Sequence, residues 1–282
     1  MEIPAHIQSA INRYDPVTVE GLTLYPIQVK NREAFWTAAP AISFMQQSFP
    51  VALMRLPLLE AYYKMVMDAI KSGNETENYF YRAILFLALA LRLGEGQSDN
   101  DRVSRFRLVV DSNDHEKLKA VEFTVDGEES IQLTPAQFQR LRPILAAQNG
   151  IELESDDANP ELIEAEREQA QYNAPKLRID FNDQLSFVAA LSSTSEGEIE
   201  EWPILRLRRR EKTYTHLLRY LLCGVAEAAR GQFKGGNPCP HPYYEREQTA
   251  PAGLKKLSDV VSDSAAQNAV NRPGEQISQQ LP

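Results

Sequence analysis

Two cysteines and a few histidines are the residues of this chain best suited to metal binding or nucleophilic chemistry. Cys239 and His241 lie two positions apart, in the sequence Cys-Pro-His. A structural zinc site needs four such ligands, usually in spaced pairs. The other candidate ligands are scattered along the chain: His6, His115, His216 and Cys223. We therefore expect the Cys-Pro-His stretch to anchor a loop, and we predict neither a metal nor a cofactor.

His216 is also the best candidate for a general base. Neither a serine nor a cysteine stands near it in a recognised nucleophile pattern. The glycines of Gly94-Glu95-Gly96 lack the third glycine and the strand–helix context of a dinucleotide-binding loop. We predict no catalytic residues and no enzymatic activity. The rival is an enzyme built from scattered carboxylates, which would show a deep pocket with two or more carboxylates and a histidine.

A basic run is the strongest candidate for a binding surface. Its members are Arg206, Arg208, Arg209, Arg210 and Lys212, and with Glu211 they give residues 206–212 a net charge of +4. Residues 152–168 carry eight acids against one arginine, a net charge of −7. The run could bind a partner protein, pair with that acidic segment, or form a solvated face. Nucleic acid is not expected, because the whole chain carries −9 and the run lacks interleaved aromatic residues.

The basic run leads into an amphipathic helix. Its apolar positions follow helical spacing: Tyr214, Leu217, Leu218, Leu221, Leu222 and Val225. We expect Thr213 to cap the start of this helix and Gly231 to close its end. Exposing six large apolar side chains costs about 1.5–3 kcal/mol each. We therefore expect the whole stripe to be buried against the body, with the arginines at or near the surface.

The strand patterns predict a small antiparallel sheet. Residues 17–27 read as a hairpin around Glu20-Gly21, and apolar residues alternate with polar ones in three strands between about 104 and 133. Because these strand patterns are adjacent rather than alternating with helices, a parallel sheet is not expected. We predict an α+β fold that is dominated by helices, with the hairpin joined to the three-stranded sheet.

Helical patterns and their end signals fill most of the remaining chain. Asn31 is expected to cap a helix that Pro40 kinks or divides, and Thr134-Pro135 is expected to open another that ends at Asn149-Gly150. Residues 94–102 are expected to form a loop. The predicted helices are 32–47, 58–72, 76–93, 135–148, a polar helix at about 160–172, 182–192, and the long helix after Thr213.

Composition divides the chain into three predicted regions. An α+β body spans 1–150, an acidic arm with a helical C-terminal region spans 151–244, and a polar tail that we expect to be disordered spans 245–282. The most apolar run, Ala83 to Leu91, has nine residues, whereas a membrane span needs about 20. It therefore predicts a core helix and no membrane association. Two cysteines and no signal-peptide pattern favour a reduced, cytosolic setting.

Three stretches resemble the tail assembly chaperones and related minor tail proteins encoded by long-tailed phages and prophages of Gram-positive bacteria. They are GLTLYPIQVKNREAF at 21–35, FQRLRPILAAQNGIEL at 138–153 and YLLCGVAEAARGQFKGGNPCPHPYY at 220–244. The resemblance covers about residues 17–244, and the polar tail departs from it. It implies a helix-rich protein of the host cytoplasm that binds the tape-measure protein during tail assembly, with other tail proteins or a second copy as further partners. The alternative is a structural tail or neck component retained in the virion.

Overall fold

A computed structural model describes residues 3–73, 77–125, 130–153, 165, 168–169, 180–229, 231, 233 and 237–243. Residues 1–153 and 176–245 belong to one compact unit. The second unit, 154–175 with 246–282, contributes only Ala165, Glu168 and Gln169 to the described residues, and these three are helical. Most of the predicted acidic arm and the whole predicted tail therefore lie outside the described residues. The predicted boundary at residue 150 falls inside the first unit.

Helices dominate the described part of the chain, and two antiparallel sheets accompany them, which confirms the predicted fold class. The helices are α1 (Ala5–Arg13), α2 (Arg32–Ser43), α3 (Leu58–Ser72), α4 (Tyr79–Ala90), α5 (Asp99–Val103), α6 (Pro135–Gln148), α7 (Phe181–Ser192), α8 (Glu196–Glu200) and α9 (Ile204–Ala228). Short 3-10 turns cover Val29–Asn31 and Gln46–Ser48. The strands are β1 (Val17–Val19), β2 (Leu22–Leu24), β3 (Arg107–Val110), β4 (Leu118–Thr124) and β5 (Ser130–Leu133).

The sheets form where alternation and turn residues predict them. β1 and β2 make a two-stranded hairpin whose turn places Glu20 and Gly21 at positive φ. β3, β4 and β5 form a separate three-stranded antiparallel sheet in that order. The hairpin is therefore not joined to this sheet, contrary to the detailed prediction. The predicted Asp126-Gly127 turn lies outside the described residues.

The core is built around α4, whose residues from Ala83 to Ala90 are all buried. α2 packs along α4, and α3 and α5 also contact it. Phe35, Tyr62 and Phe86 are among the largest fully buried side chains. α2 continues through Pro40, so the proline does not divide it. The apolar run that is too short for a membrane thus forms the centre of the core, as the sequence predicts.

Several helix boundaries follow local capping chemistry. Thr134 and Gln137 form the capping box at the start of α6, as predicted from Thr134-Pro135. Asn31 occupies the position before α2 but makes no capping bond; its Oδ1 instead accepts a hydrogen bond from Arg102 Nη2 at 3.0 Å. The sequence predicts a loop at residues 94–102, but Ser98 caps the short helix α5, which begins inside this range.

The long helix begins earlier than predicted. α9 starts at Ile204, directly after Pro203, so the basic run lies inside the helix and Thr213 does not cap it. The Thr213 hydroxyl donates to the carbonyl of Arg209, one turn back, at 2.7 Å. At the other end α9 stops at Ala228, and the backbone N–H of Gly231 donates to the carbonyl of Ala226 at 2.8 Å. α9 also packs against α7.

Candidate functional site

Three distant parts of the chain meet at the start of α9 and fix its direction. The buried Asn149 side chain accepts a hydrogen bond from the backbone N–H of Ile27 at 2.8 Å and donates to the carbonyl of Leu145 at 2.8 Å. The backbone N–H of Ile204 donates to the carbonyl of Ile27 at 2.9 Å, and Val29 N–H donates to Trp202 at 2.9 Å. Two of the three family-like stretches therefore meet here, where they position a helix.

Glycine is required at one point of this junction. Gly150 has a φ of +67°, and a Cβ placed there would lie 3.0 Å from Leu205 Cδ1. Side chains are disfavoured at such a φ, and the close approach of Leu205 adds a steric cost. The Asn149-Gly150 pair predicted to end α6 thus also holds the first turn of α9 close to the body.

The basic run is only partly a surface feature. The Arg206 guanidinium lies 4.0 Å from the centre of the Trp202 ring. The Arg209 guanidinium lies 5.4 Å from the ring of Tyr14, and its Nη2 donates to Asn12 at 3.3 Å. Arg210 and Lys212 are exposed. Arg206 and Arg209, which the sequence analysis proposed as partner-binding residues, therefore contact side chains of the same chain.

Arg208 is half-buried and contacts both the Asn149-Gly150 junction and α2. It donates from Nη1 to the carbonyl of Gly150 at 2.9 Å, and its guanidinium lies 4.7 Å from the centre of the Trp36 ring. Burial lowers the pKa of Arg208, and burial raises the pKa of the nearby Glu211 carboxyl, although each group's charge favours ionisation of the other. This pair marks the point at which α9 leaves the core.

One face of α9 changes from buried to exposed along the helix. Positions 204, 207, 211, 214, 218, 221 and 225 are separated alternately by three and four residues, which places them in one row. Ile204 and Leu207 in this row are 4% and 2% exposed, and the half-buried Tyr214 still packs against the core. Leu218, Leu221 and Val225 are 38%, 52% and 67% exposed. The prediction that the whole stripe is buried is therefore wrong beyond Tyr214.

Five side chains form what we call the exposed apolar face of α9: Leu217, Leu218, Leu221, Leu222 and Val225. With about 100° of rotation per residue, Leu217 and Leu222 bound an arc of about 140°. An apolar arc of this width is typical of a helix whose face is covered by other elements. Since the described residues leave it exposed, this face is the strongest candidate for a partner-binding surface.

The opposite side of α9 is covered by residues 237–243. Cys223, which projects away from Leu221 and Val225, is 7% exposed, and Cys239 is 3% exposed. His216 Nε2 lies 3.1 Å from the carbonyl oxygen of His241. The prediction that the Cys-Pro-His stretch anchors a loop is confirmed. Within the described residues, one side of this helix is therefore covered by residues 237–243 and the other side is exposed.

The described residues contain no group of three or more histidine, cysteine or acidic side chains placed to hold a metal ion. A cavity of about 340 Å³ lies beside the three-stranded sheet, lined by residues that include Arg105, Arg107, Glu122 and Ser130. Its lining holds one carboxylate, Glu122, and no histidine. This cavity therefore lacks the two carboxylates and the histidine that the alternative enzyme hypothesis requires. The absence of enzymatic activity stays a prediction.

No family model, curated protein or solved structure matches this chain. Within the part of the chain that the structure describes, no helix is long and apolar enough to cross a bilayer. The resemblance to tail assembly proteins thus stays an inference from the three quoted stretches. The geometry of α9 supplies the functional argument.

Sequence reasoning identified the apolar residues of this face but not their exposure. The row in fact extends back to Ile204 and Leu207, and its alternation of three and four residues is visible in the sequence. That spacing is typical of a helix that packs on another helix. This spacing therefore indicated, from the sequence alone, that the C-terminal part of α9 could pack on a helix of another protein.

Proposed function

We propose that this protein is a phage tail assembly chaperone that binds the tape-measure protein through the exposed apolar face of α9. One observation carries the proposal: five large aliphatic side chains are 38–70% exposed on one face of a single helix. Contiguous exposed apolar surface of this kind marks interaction sites in proteins that remain folded and dispersed.

The chemistry of the face matches an amphipathic helical partner. A helix recognises such a surface by placing its own apolar side chains, at helical spacing, against it. A tape-measure protein is a long and largely helical chain, so it offers such segments along its length. The net charge of −9 on the chaperone would keep the complex dispersed while the apolar segments are covered.

The test is coexpression with a phage tape-measure protein, followed by affinity purification and measurement of soluble tape measure. We expect the wild-type chain to retain the tape measure and Leu222→Ser to weaken retention. The matched control is Ile70→Ser on α3, because Ile70 is 69% exposed and Leu222 is 70% exposed. Equal retention by both variants would contradict a role for α9.

The structural alternative is separated by the composition of the virion. A chaperone is expected to be missing from purified particles, whereas a tail or neck component is expected there at a fixed copy number. Mass spectrometry of purified particles distinguishes the two. Detection at fixed copy number would replace the chaperone proposal with the structural one, even if the α9 face still binds a tail protein.

A further inference from the structure

A pair of thiols lies on the covered side of α9. Cys223 lies on the helix, and Cys239 lies in the segment 237–243 that covers it; both are buried. They are close enough for the Cys239 side chain to raise the pKa of the Cys223 thiol. The two cysteines of this chain are therefore side by side, although 16 positions separate them in the sequence.

Two further contacts hold the covering segment in place. Asn237 Oδ1 accepts a hydrogen bond from the backbone N–H of Cys239 at 2.8 Å, which fixes the local turn. His216 Nε2 lies 3.1 Å from the carbonyl oxygen of His241. This contact ties the same segment to α9, two residues after Cys239. The first contact fixes the turn around Cys239, and the second holds the segment that carries it against α9.

We propose that Cys223 and Cys239 form a reversible disulfide that fastens residues 237–243 to α9. The oxidant is a small-molecule disulfide of the glutathione class. One protein thiolate attacks this disulfide and releases one small thiolate; the second protein thiolate then attacks the mixed disulfide and releases the other. Two protein S–H bonds and one small-molecule S–S bond are lost, and one protein S–S bond and two small thiols are formed.

The surroundings of Cys223 slow its reaction with a disulfide. Burial raises the pKa of the Cys223 thiol, and the neighbouring Cys239 raises it further. Because the thiolate is the reacting species, exchange is slow at neutral pH while the segment stays in place. The bond is therefore expected to form slowly in the folded chain, and its equilibrium depends on how close the fold holds the two sulfurs.

The consequence concerns the end of the helix that carries the exposed apolar face. Leu222 lies one position before Cys223, and Val225 lies two positions after it. A covalent link at Cys223 restrains this last part of α9, because the helix can no longer separate from the covering segment. This inference rests on the thiol pair and is independent of the identity of the partner.

The full chain is equilibrated in glutathione buffers of increasing redox ratio, in one series as the native protein and in a second series unfolded in guanidinium. Each sample is then quenched with acid and digested with trypsin. We expect a linked pair of peptides, 220–230 and 235–246, in the native chain. Half-oxidation of the native chain is expected at a glutathione ratio at least about tenfold more reducing than for the unfolded chain, equivalent to about 30 mV for this two-electron couple.

Equal midpoints for native and unfolded chain would overturn the proposal, as would separate glutathione adducts on the two cysteines or linkage between chains. Asn237→Ala removes the bond to Cys239 N–H and is expected to move the native midpoint toward that of the unfolded chain. Asn113→Ala, at an exposed asparagine between β3 and β4, is the matched control and is expected to leave it unchanged. Amide exchange at residues 222–228 should slow on oxidation and recover on reduction.

Discussion

Replacing Asn149 by alanine tests whether the junction at the start of α9 stabilises the body. Asn149 is fully buried, and its Oδ1 is the acceptor for the backbone N–H of Ile27, which is itself 2% exposed. A buried donor without a partner costs about 1–3 kcal/mol, and the lost bond to the Leu145 carbonyl adds about 1 kcal/mol. We expect Asn149→Ala to lower the free energy of unfolding by about 2–4 kcal/mol.

The assay is urea unfolding followed by circular dichroism and tryptophan fluorescence. With a slope of about 3 kcal/mol per molar urea, the midpoint is expected to fall by about 1 M at an unchanged slope. Asn113→Ala, at an exposed position, is the control and should change the free energy of unfolding by less than about 0.5 kcal/mol. If both variants unfold at the same urea concentration, the junction does not stabilise the fold as argued.

The neighbouring Gln148 gives a contrast within the same turn. Gln148 Nε2 donates to the carbonyl of Leu24 at 3.0 Å, but among the described residues its buried Oε1 has no hydrogen-bond partner. Gln148→Leu removes that unsatisfied acceptor together with the donor. It should therefore destabilise the protein less than Asn149→Ala, although both side chains are buried. A larger loss of stability for Gln148→Leu than for Asn149→Ala would contradict this argument.

Three further outcomes follow from α9. Leu207→Ala, in the buried part of the row, should cost about 2–5 kcal/mol in urea unfolding, whereas Leu221→Ala in the exposed part should cost far less. Arg208→Ser should destabilise the body by losing the bond to the Gly150 carbonyl and the contact with Trp36, whereas exposed Arg210→Ser should not; equal midpoints would contradict this. Burial raises the pKa of Glu211 in the folded protein, so its protonated form stabilises the fold below about pH 4.3, and this contribution is lost as the pH rises through the raised pKa. The stability difference between Glu211→Gln and wild type should therefore favour the variant more at pH 7 than at pH 4.

The regular elements were predictable because their signals are local. The Thr134-Pro135 start of α6, the Glu20-Gly21 turn and the alternation in β4 depend on neighbouring residues only. The helical start at Ile204 was missed because the arginine run was interpreted as a polar segment before the helix. Arginine favours helices, and Pro203 directly before Ile204 is compatible with a helix start.

The candidate site was less predictable, for a physical reason. Helical spacing identifies the apolar side of α9, but it does not specify whether the covering surface belongs to the same chain. Leu207 and Leu221 lie in one row with the same residue type, yet they are 2% and 52% exposed. Their difference arises from the junction around Asn149, whose bonds run largely through backbone groups and therefore leave no side-chain pattern to recognise.

That junction also sets an order of events during synthesis. Gln28 Nε2 donates to the carbonyl of Glu201, 173 positions later, and the Ile27 carbonyl accepts a hydrogen bond from the N–H of Ile204. At about 5–20 residues per second, a ribosome needs roughly 9–35 s to make the intervening chain. The hydrogen bonds that join Ile27 and Gln28 to the start of α9 cannot form until then, and Leu218 to Val225 follow within a few seconds. The nascent chain thus exposes the apolar face of α9 only when the residues that complete its own core have already been made.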